Sequence, residues 1–391
     1  GLATFGAIQS QHPDFYVNLG DTIYSDSECL PAPDTALSDY RASYQQNFSY
    51  DSFRGLRAAT GFYTQWDDHE VRNDFDSQTV DPTLLANGRQ AFEEYDGMQA
   101  PSPKLGFYRH FRWGAETEIF ILDERSFRTT EALRLDVNHD GVEDCQNPET
   151  GQPDLAPTLS QSWRDFFASQ IPGSGLDQPV PPQCTADLNS KHASMLGAAQ
   201  RRRFEQDLAA STARFKLVIN EDAIQQFFAL PYDRWEGYRW ERNQILSFVD
   251  TNNISGVVWL TTDIHAALAH TVDYNTDTPG TTGGVQGMID YTVGPIATFD
   301  FRSEINKQVG DDTASSVRAF LINVNKNTCT FLGGDGNPTA PWYNYGLVHI
   351  DAATHTLTIQ PKDYTNTPIA GNGVNGSGRD TFCYDYSLTV P

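Results

Sequence analysis

Apolar runs in this chain end in the same unusual way at three places. Phe15-Tyr16-Val17 leads into Asn18-Leu19-Gly20-Asp21-Thr22-Ile23-Tyr24. Phe62-Tyr63-Thr64-Gln65-Trp66 leads into Asp67-Asp68-His69-Glu70-Val71-Arg72-Asn73. Gly256-Val257-Val258-Trp259-Leu260 leads into Thr261-Thr262-Asp263-Ile264-His265. Short apolar runs closed by turn residues predict buried strands. Each run then carries carboxylate, imidazole or phenol groups to the C-terminal edge of a sheet, where open α/β sheets build their sites. A single Gly-Asp turn, or a single histidine after a strand, is ordinary turn or core chemistry. Three such clusters in one chain point instead to a dinuclear metal site. Asp21 can bridge two cations, and a Tyr24 phenolate suits a hard trivalent one.

The rest of the pattern alternates helices with strands. Residues 2–11, 35–60, 88–97, 197–210 and 239–251 read as helical. Residues 107–113, 118–122 and 215–220 read as strands, the second of which brings Asp123 and Arg125 to a sheet edge. This alternation predicts an α/β core. From about residue 285 strands and turns take over, within the same single domain of residues 1–391, and Gly371 to Gly378 reads as a loop.

Residues 129–192 form a polar insertion too long for an ordinary connection, so its own contacts should order it. Inside it, Asp136, Asn138, Asp140, Val142 and Asp144 follow the spacing of a calcium loop, with Gly141 at the sharp turn. Asn147 stands where such loops carry a bidentate glutamate. A structural Ca²⁺ is expected here, holding the insertion rather than catalysing; an unliganded Asp-rich turn is the alternative.

Charge and cysteine usage narrow the function classes. The net charge of −24 disfavours nucleic acid and anionic membranes as partners. A phosphate substrate would meet the same repulsion, so local cations would have to offset it. No stretch has the length of a membrane span, and no signal peptide is visible. The cysteines, Cys29, Cys145, Cys184, Cys329 and Cys383, lie far apart in loop-like sequence without a Cys-x-x-Cys. They suggest disulfides and an oxidising compartment, extracellular or periplasmic. By proximity in sequence the favoured pairs are Cys145 with Cys184 and Cys329 with Cys383, leaving Cys29 odd. Glycosylation sequons occur at Asn47, Asn253 and Asn375. The oligomeric state is not legible.

The motif residues resemble the metallophosphoesterase superfamily, and within it the PhoD-like alkaline phosphatase/phosphodiesterase family. The resemblance rests on Gly20-Asp21-Thr22-Ile23-Tyr24, Asp67 to Asn73, Asp123-Glu124-Arg125 with Arg128, Trp235-Glu236-Gly237-Tyr238 and Asp263-Ile264-His265. Tyr345 to Asp351 and Thr356 to Ile359 look like the family's closing hairpin. The implied fold is a sandwich of two mixed β-sheets flanked by helices. The family's opening strand, which brings a first metal ligand, has no counterpart before the helix at residues 2–11. The implied cofactor is a dinuclear or trinuclear centre of Fe³⁺ with Ca²⁺ or other divalent ions. Asp21, Tyr24, Asp67 or Asp68, Asn73, Asp263 and His265 would be its ligands. A metal-activated water would attack a small phosphate-ester substrate.

His69 stands where the superfamily places a histidine near the leaving group, as acid or as an orienter of its neighbours. Arg125, Arg128 and Arg72 could clamp phosphate oxygens or pair with local acids. Arg201-Arg202-Arg203 reads as a solvated helix face. Two other functions fit the residues. One is a calcium-binding extracellular structural or adhesive protein on a degenerate, inactive phosphoesterase fold. The other is a metal hydrolase acting on a non-phosphate ester.

Overall fold

The computed structural model describes residues 3–27, 30–229, 232–279, 284–309, 329–331, 343–369 and 386–390. In chain order the elements are α1 (Ala3–Ser10), β1 (Phe15–Leu19), α2 (Leu37–Phe48), α3 (Asp51–Ala59), β2 (Gly61–Gln65) and α4 (Pro82–Asp96). There follow β3 (Arg109–Trp113), β4 (Thr117–Ile121), α5 (Gln161–Ala168), α6 (Pro182–Leu188), α7 (Gly197–Ala210) and β5 (Phe215–Ile219). Next come α8 (Arg239–Thr251), β6 (Val257–Thr261), β7 (Ala267–Asp273), β8 (Gly284–Thr292) and α9 (Phe301–Val309). The last are β9 (Cys329–Phe331), β10 (Asn344–Asp351), β11 (Thr356–Asp363) and β12 (Tyr386–Thr389).

Two layers of strands pack face to face. One is a seven-stranded mixed sheet in the order β3-β4-β5-β6-β8-β7-β9. β4, β5, β6 and β8 run parallel to one another. β5 is buried at every position, as a strand covered on both faces must be. The other layer holds the parallel pair β1-β2 and the antiparallel group β10-β11-β12. Ile119, Ile121, Leu217, Val258 and Tyr291 of the large sheet meet Val17, Tyr63, Leu357 and Ile359 of the facing layer in one apolar cluster. Phe204, Leu208, Ile245, Leu246 and Val249 of α7 and α8 cover the outer face against Phe120, Val218 and Trp259. The expected α/β sandwich flanked by helices is therefore present, with its second layer split into two hydrogen-bonded groups among the described residues.

Several elements differ from their expected bounds. The helical stretch at 35–60 breaks into α2 and α3. α4 begins before residue 88, at Pro82. Asp81 caps it, accepting from the N–H groups of Thr83 and Leu84, and Gly97 ends it at φ 65°. α9 interrupts the segment expected to hold strands and turns. Cys145 and Cys184 are bonded, with Cα atoms 4.6 Å apart, as proximity suggested. Cys29, Cys383, Asn375 and the Gly371–Gly378 loop lie outside the described residues, as does the side chain of Cys329. Asn47, at one of the sequons, donates through Nδ2 to the Thr22 carbonyl at 2.6 Å.

Candidate metal centre

The loops after β1, β2, β5 and β6 meet at one edge of the sandwich. Gly20, at φ 75°, lets the first two touch: a β-carbon on it would lie 2.1 Å from the Asp67 Cβ. Asp21, Asp263 and His265 also sit at positive φ, at 50°, 60° and 57°. Non-glycine residues held in the left-handed region are strained, and such strain clusters at functional sites.

The structure brings these side chains into three overlapping groups. Ligand atoms of Asp21, Asp68 and His69 lie within 4.8 Å of one another, as do those of Asp67, Asp68 and Asp263 and those of Asp222, Asp233 and Asp263. None of the three groups includes His265, whose Nε2 lies 3.2 Å from the Tyr24 hydroxyl, and the Tyr24 ring is 4.2 Å from that of His69. Asn73 does not turn inward. It is exposed, and its backbone N–H donates to Asp26 at 2.6 Å.

Asp222 and Asp233 carried no expectation from the sequence. Asp222 lies just past β5, so an apolar strand running into Asn220-Glu221-Asp222 was the available signal. Asp233 precedes the Trp235–Tyr238 turn and had no such mark.

The electrostatics of the cluster are severe. Burial, reinforced by Asp68, pushes the Asp21 carboxyl up to about 7. Burial and neighbouring acids drive Asp67 and Asp263 well above the usual carboxylate range. Burial also opposes charge on Asp68, but Arg125 and His69 outweigh it and hold that carboxyl below the usual range. For His69, burial works against the charge, yet Asp68, Asp21 and Asp26 prevail and push it up to about 11. His69 Nδ1 is 2.5 Å from Asp26 Oδ1, which fixes the ring. Burial, with the His69 charge adding, pushes His265 down to about 4, so its imidazole stays neutral.

The arginines lie within this cluster. Arg125 is fully buried and donates from Nε to Asp67 Oδ1 at 2.7 Å. Its Nη2 lies 3.8 Å from both Asp68 and Asp222. Arg128 donates to the Tyr238 hydroxyl at 3.0 Å and to Asp222 at 3.3 Å. Arg72 faces away, bonded to Ser25, Tyr40 and the carbonyls of Val71 and Asp34. Through Nη1 and Nη2 it ties loop segments together.

A metal fits this donor set. Asp21 Oδ1, Asp67 Oδ2, Asp222 Oδ1 and Asp233 Oδ1 are buried without a hydrogen-bond partner. Buried carboxylate oxygens left unpaired are costly unless a cation meets them. Oxygen donors of this kind suit hard ions.

The expected calcium loop has its predicted turn, with Gly141 at φ 85°. Asp136 accepts from the N–H groups of Asp140 and Gly141, Asn138 from Asp140, Asp140 from Val142, and Asp144 from Val137. The three acid groups that share an ion-sized space among the described residues do not include this loop.

A mixed α/β sandwich that gathers carboxylates and imidazoles at its strand ends has the metallophosphoesterase-like fold. The sequence pattern of PhoD-like phosphatases matches residues 1–357, and the chain belongs to that family. Alkaline phosphatase D of Bacillus subtilis (strain 168) is 26% identical over 256 residues, which cover 60% of this chain and 36% of that protein. The chain thus aligns with little more than a third of that relative's length. The solved structure of PhoD superposes on 96% of this chain and 70% of its own, with a TM-score of 0.60 at 18% identity. A purple acid phosphatase from yellow lupin seeds is a more distant likeness, with a TM-score of 0.46 at 10% identity over 99% of this chain and 49% of its own.

Proposed function

We propose that this chain is a secreted, metal-dependent phosphoesterase acting on small phosphate esters at the Asp21–Asp68–Asp263 cluster. The observation that carries this is the set of buried, unpaired carboxylate oxygens on Asp21, Asp67, Asp222 and Asp233, in a chain of a phosphatase family. Asp21, Tyr24 and His265 would hold a ferric ion, and Asp67, Asp68, Asp222, Asp233 and Asp263 one or two calcium or other divalent ions. Ions there would polarise a phosphoryl oxygen and lower the pKa of a water nucleophile. A further Ca²⁺ at Asp136–Asp144 would be structural. The buried Cys145–Cys184 disulfide supports an oxidising location. No helix among the described residues is long and apolar enough to cross a membrane.

The chain's own groups then have separate tasks. Asp26 holds His69 Nδ1, which leaves Nε2 to pass a proton to the departing alkoxide. Buried Nη atoms of Arg125 and Arg128 have no hydrogen-bond partner, so these donors remain to take phosphoryl oxygens while offsetting the carboxylates.

Hydrolysis of chromogenic phosphate mono- and diesters tests the proposal. Vanadate should inhibit, and Asp21→Asn should lower kcat by about 100-fold or more, since an essential charge at the reacting centre is lost. Activity insensitive to vanadate and intact in Asp21→Asn would point to a non-phosphate ester or to a different site.

A further inference from the structure

The motif Asp67-Asp68-His69-Glu70 contains one acid that the metal cluster does not use. Glu70 is fully buried. Its Oε1 accepts from the backbone N–H of Thr22 at 2.6 Å and of Ile23 at 3.4 Å. Its Oε2 accepts from the backbone N–H of Asp21 at 3.0 Å and of Asp67 at 2.7 Å. An ionised carboxylate has about four lone-pair sites. Four N–H groups fill them, so no lone pair remains for a cation, and Glu70 is outside every acid group within an ion's reach.

Those four donors belong to two different loops. Asp21, Thr22 and Ile23 follow β1, whereas Asp67 follows β2. The two strands run side by side, but their ladder ends at Leu19 and Gln65. Past that point the Gly20 N–H still reaches the Gln65 carbonyl at 2.9 Å, and Glu70 then takes over the pairing. Asp21 stands at φ 50°, a conformation its own backbone disfavours, so an outside anchor must hold it. The Glu70 backbone packs closely against α4: a β-carbon on Gly88 would lie 2.4 Å from its carbonyl oxygen.

We propose that Glu70 is a positioning residue for the metal centre. It fixes the peptides of Asp21 and Asp67, and so sets the spacing between carboxylates of the first loop and those of the second. Resting on the metal-centre function proposed above, it adds that cation affinity depends on an acid that never touches the cation. Glu70→Gln keeps the shape but turns one acceptor oxygen into a donor that faces two N–H groups. The loops must part, and the Asp21 and Asp68 oxygens part with them.

The test compares Glu70→Gln with Glu241→Gln. Glu241 is also buried and caps backbone N–H groups, those of Met195 at 2.6 Å and Leu196 at 3.3 Å, but it lies outside the three acid groups. Calcium and manganese affinities of the full chain are measured by calorimetry after chelation and dialysis, together with Tm. Both variants should lose thermal stability. Glu70→Gln alone should bind cations at least tenfold more weakly, whereas Glu241→Gln should match wild type. Equal affinities in Glu70→Gln and wild type would overturn the proposal, and so would equal weakening in both variants. Should Glu70→Gln not fold, Glu70→Asp decides: its carboxylate is one methylene short, and wild-type affinity there overturns the proposal. A wild-type chain that binds no cation at all would instead remove the metal centre itself.

Discussion

Gly20→Ala is the substitution whose consequence follows most closely from the geometry. The new β-carbon would stand 2.1 Å from Asp67 Cβ, 2.7 Å from its backbone N and 2.9 Å from its Cα. Carbon atoms rest about 3.5–4.0 Å apart, so the loops must separate by roughly 1.5 Å. Backbone and Cβ atoms cannot swing aside as a flexible side chain would. Overpacking of this kind costs about 1–3 kcal/mol. Alanine at φ 75° adds about 1–2 kcal/mol, giving roughly 2–5 kcal/mol in all. The displacement falls on Asp67 and Asp68, and a misplacement of about 1 Å at reacting groups can cost roughly 100-fold in rate. Urea unfolding gives the stability and hydrolysis of a chromogenic phosphate ester gives the rate. Gly97→Ala is the control, with φ 65° but nothing within 4 Å of its added carbon. It should lose only the backbone contribution and keep its activity. If Gly20→Ala matched Gly97→Ala in both stability and rate, the close loop contact would have no role in building the site.

Other consequences follow from the cross-link and the charges. Reducing Cys145–Cys184 releases a loop of 39 residues, which in the chain-entropy account removes about 4 kcal/mol and should lower Tm in dithiothreitol. Arg125→Met should cost about 3–5 kcal/mol in urea unfolding of the metal-free chain, because Asp67, Asp68 and Asp222 lose their buried counter-charge; added cations should restore part of it. Asp21 and Asp222 are raised to about 7 and about 6, chiefly by burial, so the folded chain keeps protons that the unfolded chain has lost above about pH 4. Their contribution to metal-free stability is therefore greatest in acid and fades as pH rises from about 4 to about 7. Protons and cations compete for these oxygens, so divalent ions should raise Tm more at pH 7 than at pH 4; an equal rise at both would contradict this.

Much of the architecture was legible because apolar periodicity and strand-end chemistry coincide. Asp21, Asp67 and Asp263 lie in the loops just past β1, β2 and β6, and those loops meet at one edge of the sandwich. Less legible were groups whose role depends on direction. Glu70 and Asp68 look alike in sequence and both accept from backbone N–H groups, yet only Asp68 also lies within an ion's reach of Asp21, Asp67 and Asp263. Arg72 sits inside the motif but turns toward loop carbonyls, while Asn73 beside it is exposed. Asp222 follows a strand as Asp263 does, but without a following histidine that strand-end signal is weaker. The two breaks in local pattern, between α2 and α3 and at α9, were masked by helix-compatible or mixed composition on both sides. The early start of α4 was written in Asp81-Pro82, a cap signal that the apolar spacing overshadowed.

The most direct measurement combines the metal content of the purified chain with phosphate-ester hydrolysis before and after chelation. The structure predicts bound metal near or above one equivalent per chain, loss of hydrolysis when it is stripped, and recovery when ions are returned. Hydrolysis that continues at full rate in a chain shown to hold no metal would contradict the account.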